Sequence, residues 1–255
     1  MGDFDVAKVG CSTDFSTISG AAVSPDTQRT IISAIENNFN LGKYSADLYI
    51  GFNKDGRNKS WTARLVSLQG GKDDFRCAKF GTKLKDNRQS RREAGVVITK
   101  RDQAFSKKDP NQPSFSALPG VNTGIFDTDY SPQDMLDSLN LLANYDVEKF
   151  TSFTSQGNKY YHIMLKKKAN GEGFYRRREM IVDANKNVPV QIRLYTKNTR
   201  KPYKVMAVKS KPFAKRAFPY SYDITACWRT STTNITLGDL KEEASTTEAN
   251  YCKGS

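Results

Sequence analysis

The sequence predicts an α+β fold: a large curved antiparallel sheet or open barrel, with helices on one face. Three observations predict it. Short runs in which apolar and polar residues alternate with period two recur along most of the chain. Turn-forming residues separate several of these runs, and only two segments carry the periodicity of a long helix. With 255 residues, 37% of them hydrophobic and 26% charged, the chain can bury a sizeable core. No apolar run approaches the roughly 20 residues that a helix needs to cross a bilayer.

The first helix is announced by Ser24-Pro25-Asp26, an N-cap followed by proline at the first helical position and an early acid. Ile31, Ile32, Ile35 and Phe39 then recur at helical spacing, and Gly42 is the natural stop. Next, Leu48, Ile50 and Phe52 alternate with polar or small neighbours as far as Lys54-Asp55-Gly56-Arg57, which has turn chemistry, and Trp61, Ala63 and Leu65 alternate on the way back. This predicts a hairpin. Further strands are predicted over 75–80, 94–100, 159–166, 175–183, 189–196, 203–209 and 226–235, with turns at 184–187 and 197–201. A second helix is predicted from Ser131-Pro132, through the stripe Met135, Leu136, Leu139 and Leu142, to Asn144. The Pro-, Ser- and Gly-rich stretch 107–129 reads as a surface loop or lid rather than a domain boundary, so 1–240 is expected to form one domain and 241–255 a polar tail.

The formal net charge is +13, from 40 basic and 27 acidic residues. Between Lys166 and Arg216 there are 16 basic and 3 acidic residues, a difference equal to the whole +13, so the other 204 residues are neutral. A local basic field suggests an anionic partner, either lipid headgroups, lipopolysaccharide or nucleic acid, and otherwise a solvated Lys-rich face.

His162 is the only histidine, which excludes multi-histidine metal sites and leaves one possible base for nucleophilic catalysis. The alternation in Lys159-Tyr160-Tyr161-His162-Ile163-Met164-Leu165 makes it a strand residue with no nucleophile motif beside it. Asp127, Asp129 and Asp134 are explained by helix capping and turns. No metal, cofactor or catalytic residue is expected. Cys11, Cys77, Cys227 and Cys252 are widely spaced, which leaves two disulfides in any of three pairings, or four free thiols, open. The start, Met-Gly-Asp-Phe-Asp-Val, lacks the features of a secretory signal: either the chain is cytosolic or its signal has been removed.

From Gly124 to Leu240 a series of short segments, in order, resembles the LolA/LolB-like outer-membrane lipoprotein-sorting superfamily, in its broader bacterial branch. The segment 125–135, in which an aspartate and an aromatic precede a capped helix, is the first, and the strand 157–166 follows. Then Tyr175 to Asp183, a turn, and Val188-Pro189-Val190-Gln191-Ile192-Arg193-Leu194-Tyr195 resemble the family's hairpin, with 201–206 and 235–240 matching the next strand and the closing segment.

The resemblance implies an incomplete antiparallel β-barrel whose concave face is apolar, plugged by helices and able to accept acyl chains. It implies a non-enzymatic carrier or sensor of lipid or acylated lipoprotein in lipoprotein sorting, in the bacterial periplasm or envelope. The cavity candidates are Leu48, Ile50, Phe52, Trp61, Leu65, Ile192 and Leu194 on the sheet, with Ile31, Ile35, Phe39, Met135, Leu139 and Leu142 on the helices. The bland alternative makes all of these dry core. Arg176, Arg178, Lys197, Arg200, Lys201 and Lys204 are the candidates for contact with an anionic membrane surface. The competing expectation is a polyanion or nucleic-acid binder that uses 166–216, with Tyr175, Tyr195 and Tyr203 as stacking groups. It lacks any recognisable nucleic-acid module.

Overall fold

The structure is a computed structural model that describes residues 5–6, 10–40, 42–68, 75–80, 95–100, 103–107, 116–117, 124–125, 128–131, 134, 140–196 and 201–243. In chain order its elements are β1 (Ala21–Ala22), α1 (Pro25–Phe39), β2 (Lys43–Lys54), β3 (Arg57–Leu68), β4 (Phe75–Phe80), β5 (Gly95–Lys100), β6 (Gln103–Lys107) and β7 (Ser116–Ala117). After these come α2 (Leu141–Asn144), β8 (Tyr145–Ser155), β9 (Asn158–Lys167), β10 (Arg177–Asp183), β11 (Val188–Tyr195), β12 (Lys204–Phe213), β13 (Arg216–Ala226) and β14 (Ser231–Glu242). The expected fold class stands: among the described residues the strands form an antiparallel sheet that does not close, with few helices, of the open-barrel α+β type.

The chain divides into two compact units, Met1–Phe39 with Asp137–Thr232, and Asn40–Leu136 with Thr233–Ser255. In the first, the strands run in the order β1-β8-β9-β10-β11-β12-β13, and α1 packs on β11 and β13. Pro25 opens α1 as its sequence predicts, and the helix buries Ile31, Ile32, Ile35, Asn38 and Phe39. Asn38 donates its amide hydrogens to the carbonyls of Lys186 and Asn187, at 2.9 and 3.0 Å, which fixes the end of α1 to the β10–β11 turn. In the second unit the order is β14-β2-β3-β4-β5-β6-β7.

The β2–β3 turn follows from Asp55-Gly56: both residues have positive φ, 51° and 77°, the conformation that a two-residue hairpin turn requires and that this pair tolerates well. Lys54 pairs with Arg57 across it. At the β12–β13 turn, Ala214 and Lys215 adopt the same left-handed region, φ 50° and 58°, although neither is a turn former. That hairpin is invisible in the sequence. For a similar reason the expected strand over 226–235 is instead the last residue of β13, a turn at 227–230, and the start of β14.

Ser131 donates both its N–H and its hydroxyl to Asp134, at 2.8 and 2.9 Å, and Asp134 is helical, as the capping pattern predicts. Asn140, at φ 58°, is left-handed and precedes α2 as a separate short helix. Residues 135–139, including Met135 and Leu139, lie outside the described residues. β14 runs two residues into the expected tail, and Glu243 N–H still bonds the Lys43 carbonyl.

Candidate functional site

In the second unit, period-two alternation sorts β2 and β3 into two unlike faces. On one, the cross-strand rows are Ala46–Leu65–Ala78, Leu48–Ala63–Phe80 and Ile50–Trp61. Over these three rows the face is apolar, and it carries five of the cavity candidates, Leu48, Ile50, Phe52, Trp61 and Leu65; the flanking rows pair Phe52 with Lys59 and Tyr44 with Ser67. Ala63 sits at its centre, bordered across the strands by Leu48 and Phe80 and along its own strand by Trp61 and Leu65, so the middle of the face is lower than its rim. Solvent reaches little of it, since each of these apolar residues is 8% exposed or less. On the opposite face Arg64 donates to Asp47 and to Ser45 Oγ, both at 2.7 Å, with Asp239 3.6 Å away. A one-residue slip of register would bury that ionic network in the apolar side, so the pattern fixes which face is which.

In the first unit, Ile31, Ile35 and Phe39 of α1 and Ile192 and Leu194 of β11 are buried. Leu142 of α2 is half-buried. The Glu36 carboxylate accepts the N–H groups of Leu141 and Leu142 and so caps α2 from α1.

Two of the expected membrane contacts are corrected. Arg178 and Lys204 both pair in register with Leu194 and therefore share its face, where they are 4% and 3% exposed. Arg178 lies over the rings of Tyr145 and Tyr175 and donates Nε–H to the Tyr145 hydroxyl at 3.3 Å. The alternation that makes Leu194 core makes its cross-strand neighbours core too, whatever their charge. Arg176, outside the strand, and Lys201 are exposed; Lys197 and Arg200 lie outside the described residues. Two of the three stacking groups of the polyanion reading are corrected as well, because Tyr175 and Tyr195 are 0% and 2% exposed and present no ring to a base, while Tyr203 is half-buried.

The other face of this sheet carries a cluster that sequence reasoning missed. His162 Nε2 lies 2.9 Å from Glu179 Oε1, and the Tyr195 hydroxyl donates to Glu179 Oε2 at 2.7 Å. Burial alone would raise the Glu179 pKa. The hydrogen bonds from His162 and Tyr195, and attraction to His162 and Arg193, outweigh it and hold the carboxyl below its ordinary value. Tyr195 is pushed up to about 12, chiefly by burial and then by the Glu179 charge.

The N-terminal segment covers the cluster. Phe15 meets His162 edge-on at 5.8 Å, and Arg193 lies over the Phe15 ring at 4.0 Å and donates to the Gly10 carbonyl at 2.8 Å. A disulfide, Cys11–Cys227, ties that segment down, and Cys77 is also disulfide-bonded. The signal was available in the alternation, which puts His162, Glu179, Arg193 and Tyr195 in one phase; the pairing that aligns the strands was not. With His162 only 1% exposed, the chain's one histidine is sealed from any substrate. Among the described residues, no three His, Cys, Asp or Glu side chains are placed to hold a metal ion, and no helix is long and apolar enough to cross a membrane.

A family model described only as an uncharacterized protein matches residues 120–252. No curated protein matches the sequence. Among solved structures, the chain is similar to a DUF1329 family protein from Desulfovibrio piger, with TM-score 0.72 and 14% identity over 89% of this chain and 96% of that one. It is similar to a LolA superfamily protein from Nitrosomonas europaea, with TM-score 0.67 and 11% identity over 87% and 96%. A putative outer membrane lipoprotein-sorting protein domain from Vibrio parahaemolyticus gives TM-score 0.65 and 14% identity over 87% and 95%. At these identities the likeness is one of fold, and the fold is the one that the resemblance over 124–240 implies.

Proposed function

We propose that this chain, which belongs to the family whose model spans residues 120–252, is a non-enzymatic binder of lipid or lipoprotein acyl chains. It acts as a carrier or sensor in lipoprotein sorting within the bacterial envelope. The observation that carries the reading is the apolar patch shared by β2, β3 and β4, low at Ala63 and walled by Leu48, Phe80, Trp61 and Leu65. An acyl chain enters by displacing what covers that face. Ile31, Ile35 and Phe39 of α1, Leu142 of α2, and Ile192 and Leu194 of β11 are proposed as acyl contacts within the first unit, separately from this face. Each buried methylene contributes about 0.8 kcal/mol, so ten supply about 8 kcal/mol, the free energy of a micromolar complex before ordering costs.

Several further observations support the reading. The fold is shared with a LolA superfamily protein and a lipoprotein-sorting domain. Disulfides at Cys11, Cys77 and Cys227 suit an oxidising compartment such as the periplasm. The sealing of His162 favours binding over catalysis. Titration with an environment-sensitive fluorescent fatty acid tests it. Saturable binding, competed by unlabelled fatty acid, is expected; a folded preparation that binds neither this probe nor an acylated peptide would contradict it.

A further inference from the structure

We propose that the end of the first unit's sheet that carries Trp228 is a docking surface for an anionic lipid bilayer. Among the described residues Trp228 is the one large apolar side chain left exposed, at 56%. It does not stand alone. Its ring stacks on Tyr203, with centroids 5.8 Å apart and planes 12° from parallel, and Tyr203 in turn meets Phe174 edge-on at 6.1 Å. The backbone holds these rings in place: Cys227 N–H bonds the Tyr203 carbonyl at 2.9 Å, Tyr203 N–H bonds the Leu194 carbonyl at 2.7 Å, and the Cys11–Cys227 disulfide anchors the residue before Trp228. An exposed tryptophan held against a half-buried tyrosine fits the headgroup layer, where amphipathic rings place an apolar body in lipid and a polar edge in water.

Charge selects the occupant. The Arg229 guanidinium lies 4.7 Å from the Trp228 ring centre. Arg176, two residues from Phe174, and Lys201, two residues from Tyr203, are exposed, and so is one nearby carboxylate, Glu172. The excess is positive, as an anionic surface requires. The π contacts of Trp228 are made within the chain, with Tyr203 and Arg229, which favours insertion among headgroups over stacking on a nucleic-acid base.

Vesicle binding by the disulfide-intact full chain tests the surface. The chain's other tryptophan, Trp61, is buried, so a blue shift of tryptophan fluorescence on adding phosphatidylcholine–phosphatidylglycerol vesicles, quenched by brominated acyl chains, reports Trp228 in wild-type protein. Trp228→Ala is expected to weaken partitioning about tenfold, and Arg176→Gln with Lys201→Gln about fivefold per charge removed. Equal binding to pure phosphatidylcholine, no quenching, or unchanged partitioning of folded Trp228→Ala would overturn the proposal, as would binding of an oligonucleotide or a protein through Trp228 in its place. The proposal does not rest on the acyl-chain reading. Fatty-acid binding is expected to survive Trp228→Ala, and vesicle docking by a chain that binds no fatty acid would support this surface while counting against the proposed function alone.

Discussion

Replacing Glu179 with alanine is expected to destabilise the chain by about 3–5 kcal/mol. The carboxylate is the common acceptor for His162 and Tyr195, and all three are buried. Its removal leaves an imidazole and a phenol without their partner beneath Phe15, and the cost is that of stranded polar groups rather than of lost packing. Glu179→Gln keeps an acceptor and is expected to cost less, about 1–3 kcal/mol. Chemical denaturation of the three proteins measures both; a loss below about 1 kcal/mol for Glu179→Ala would show that the cluster is not a structural keystone.

The same cluster sets the pH dependence. The folded Glu179 pKa is below its ordinary 4.5, so its contribution is present above about pH 4.5 and is lost as pH falls through the lowered folded value. Tyr195 is raised from 10.0 to about 12. Its contribution is therefore complete below pH 10 and is lost as pH rises from 10 towards 12. Glu179→Ala is expected to flatten the acid limb of the stability profile and to reduce the loss of stability above pH 10, because the Glu179 charge and hydrogen bond that help to raise Tyr195 are gone.

Loss of the Cys11–Cys227 disulfide is the second large effect. The bridge closes a sequence separation of 216 residues, and removing a bridge of this kind costs about 2–5 kcal/mol, mainly through the freedom returned to the unfolded chain. The double variant Cys11→Ala/Cys227→Ala avoids a stray thiol. It also frees the segment that delivers Phe15 and the Gly10 carbonyl to Arg193. Hydrogen exchange is expected to rise first in β9, β10 and β11, under that segment, before global unfolding. Unchanged protection there would mean that the segment is held without the disulfide.

Much of this fold is legible because local rules and tertiary pairing agree. Ser24-Pro25 starts a helix, Asp55-Gly56 makes a tight turn, and β2, β4 and β9 follow their alternation. Legibility fails where tertiary context overrides composition. Ala214-Lys215 turns without a turn residue, and Trp228 lies in a turn that an apolar run had disguised as strand. The basic segment shows the same limit. Its charges are countable, but pairing with Leu194 sends Arg178 and Lys204 inward, and the Glu179 cluster draws Arg193 beneath Phe15. Charge along a chain becomes charge on a surface only after register is known, so only part of the +13 is available to a membrane. The apolar face at Ala63 was half legible: the Leu48, Ile50 and Trp61 phases were plain, whereas Phe80 joins them only through the β3–β4 pairing.

Photo-crosslinking with a diazirine fatty acid, followed by peptide mapping, tests acyl-chain binding most directly. Saturable labelling, competed by unlabelled fatty acid, is predicted on peptides from β2 and β3, around Leu48, Ile50, Trp61 and Leu65. Absence of saturable labelling, or labelling confined to the Phe174–Tyr203–Trp228 end, would contradict an acyl site on that face.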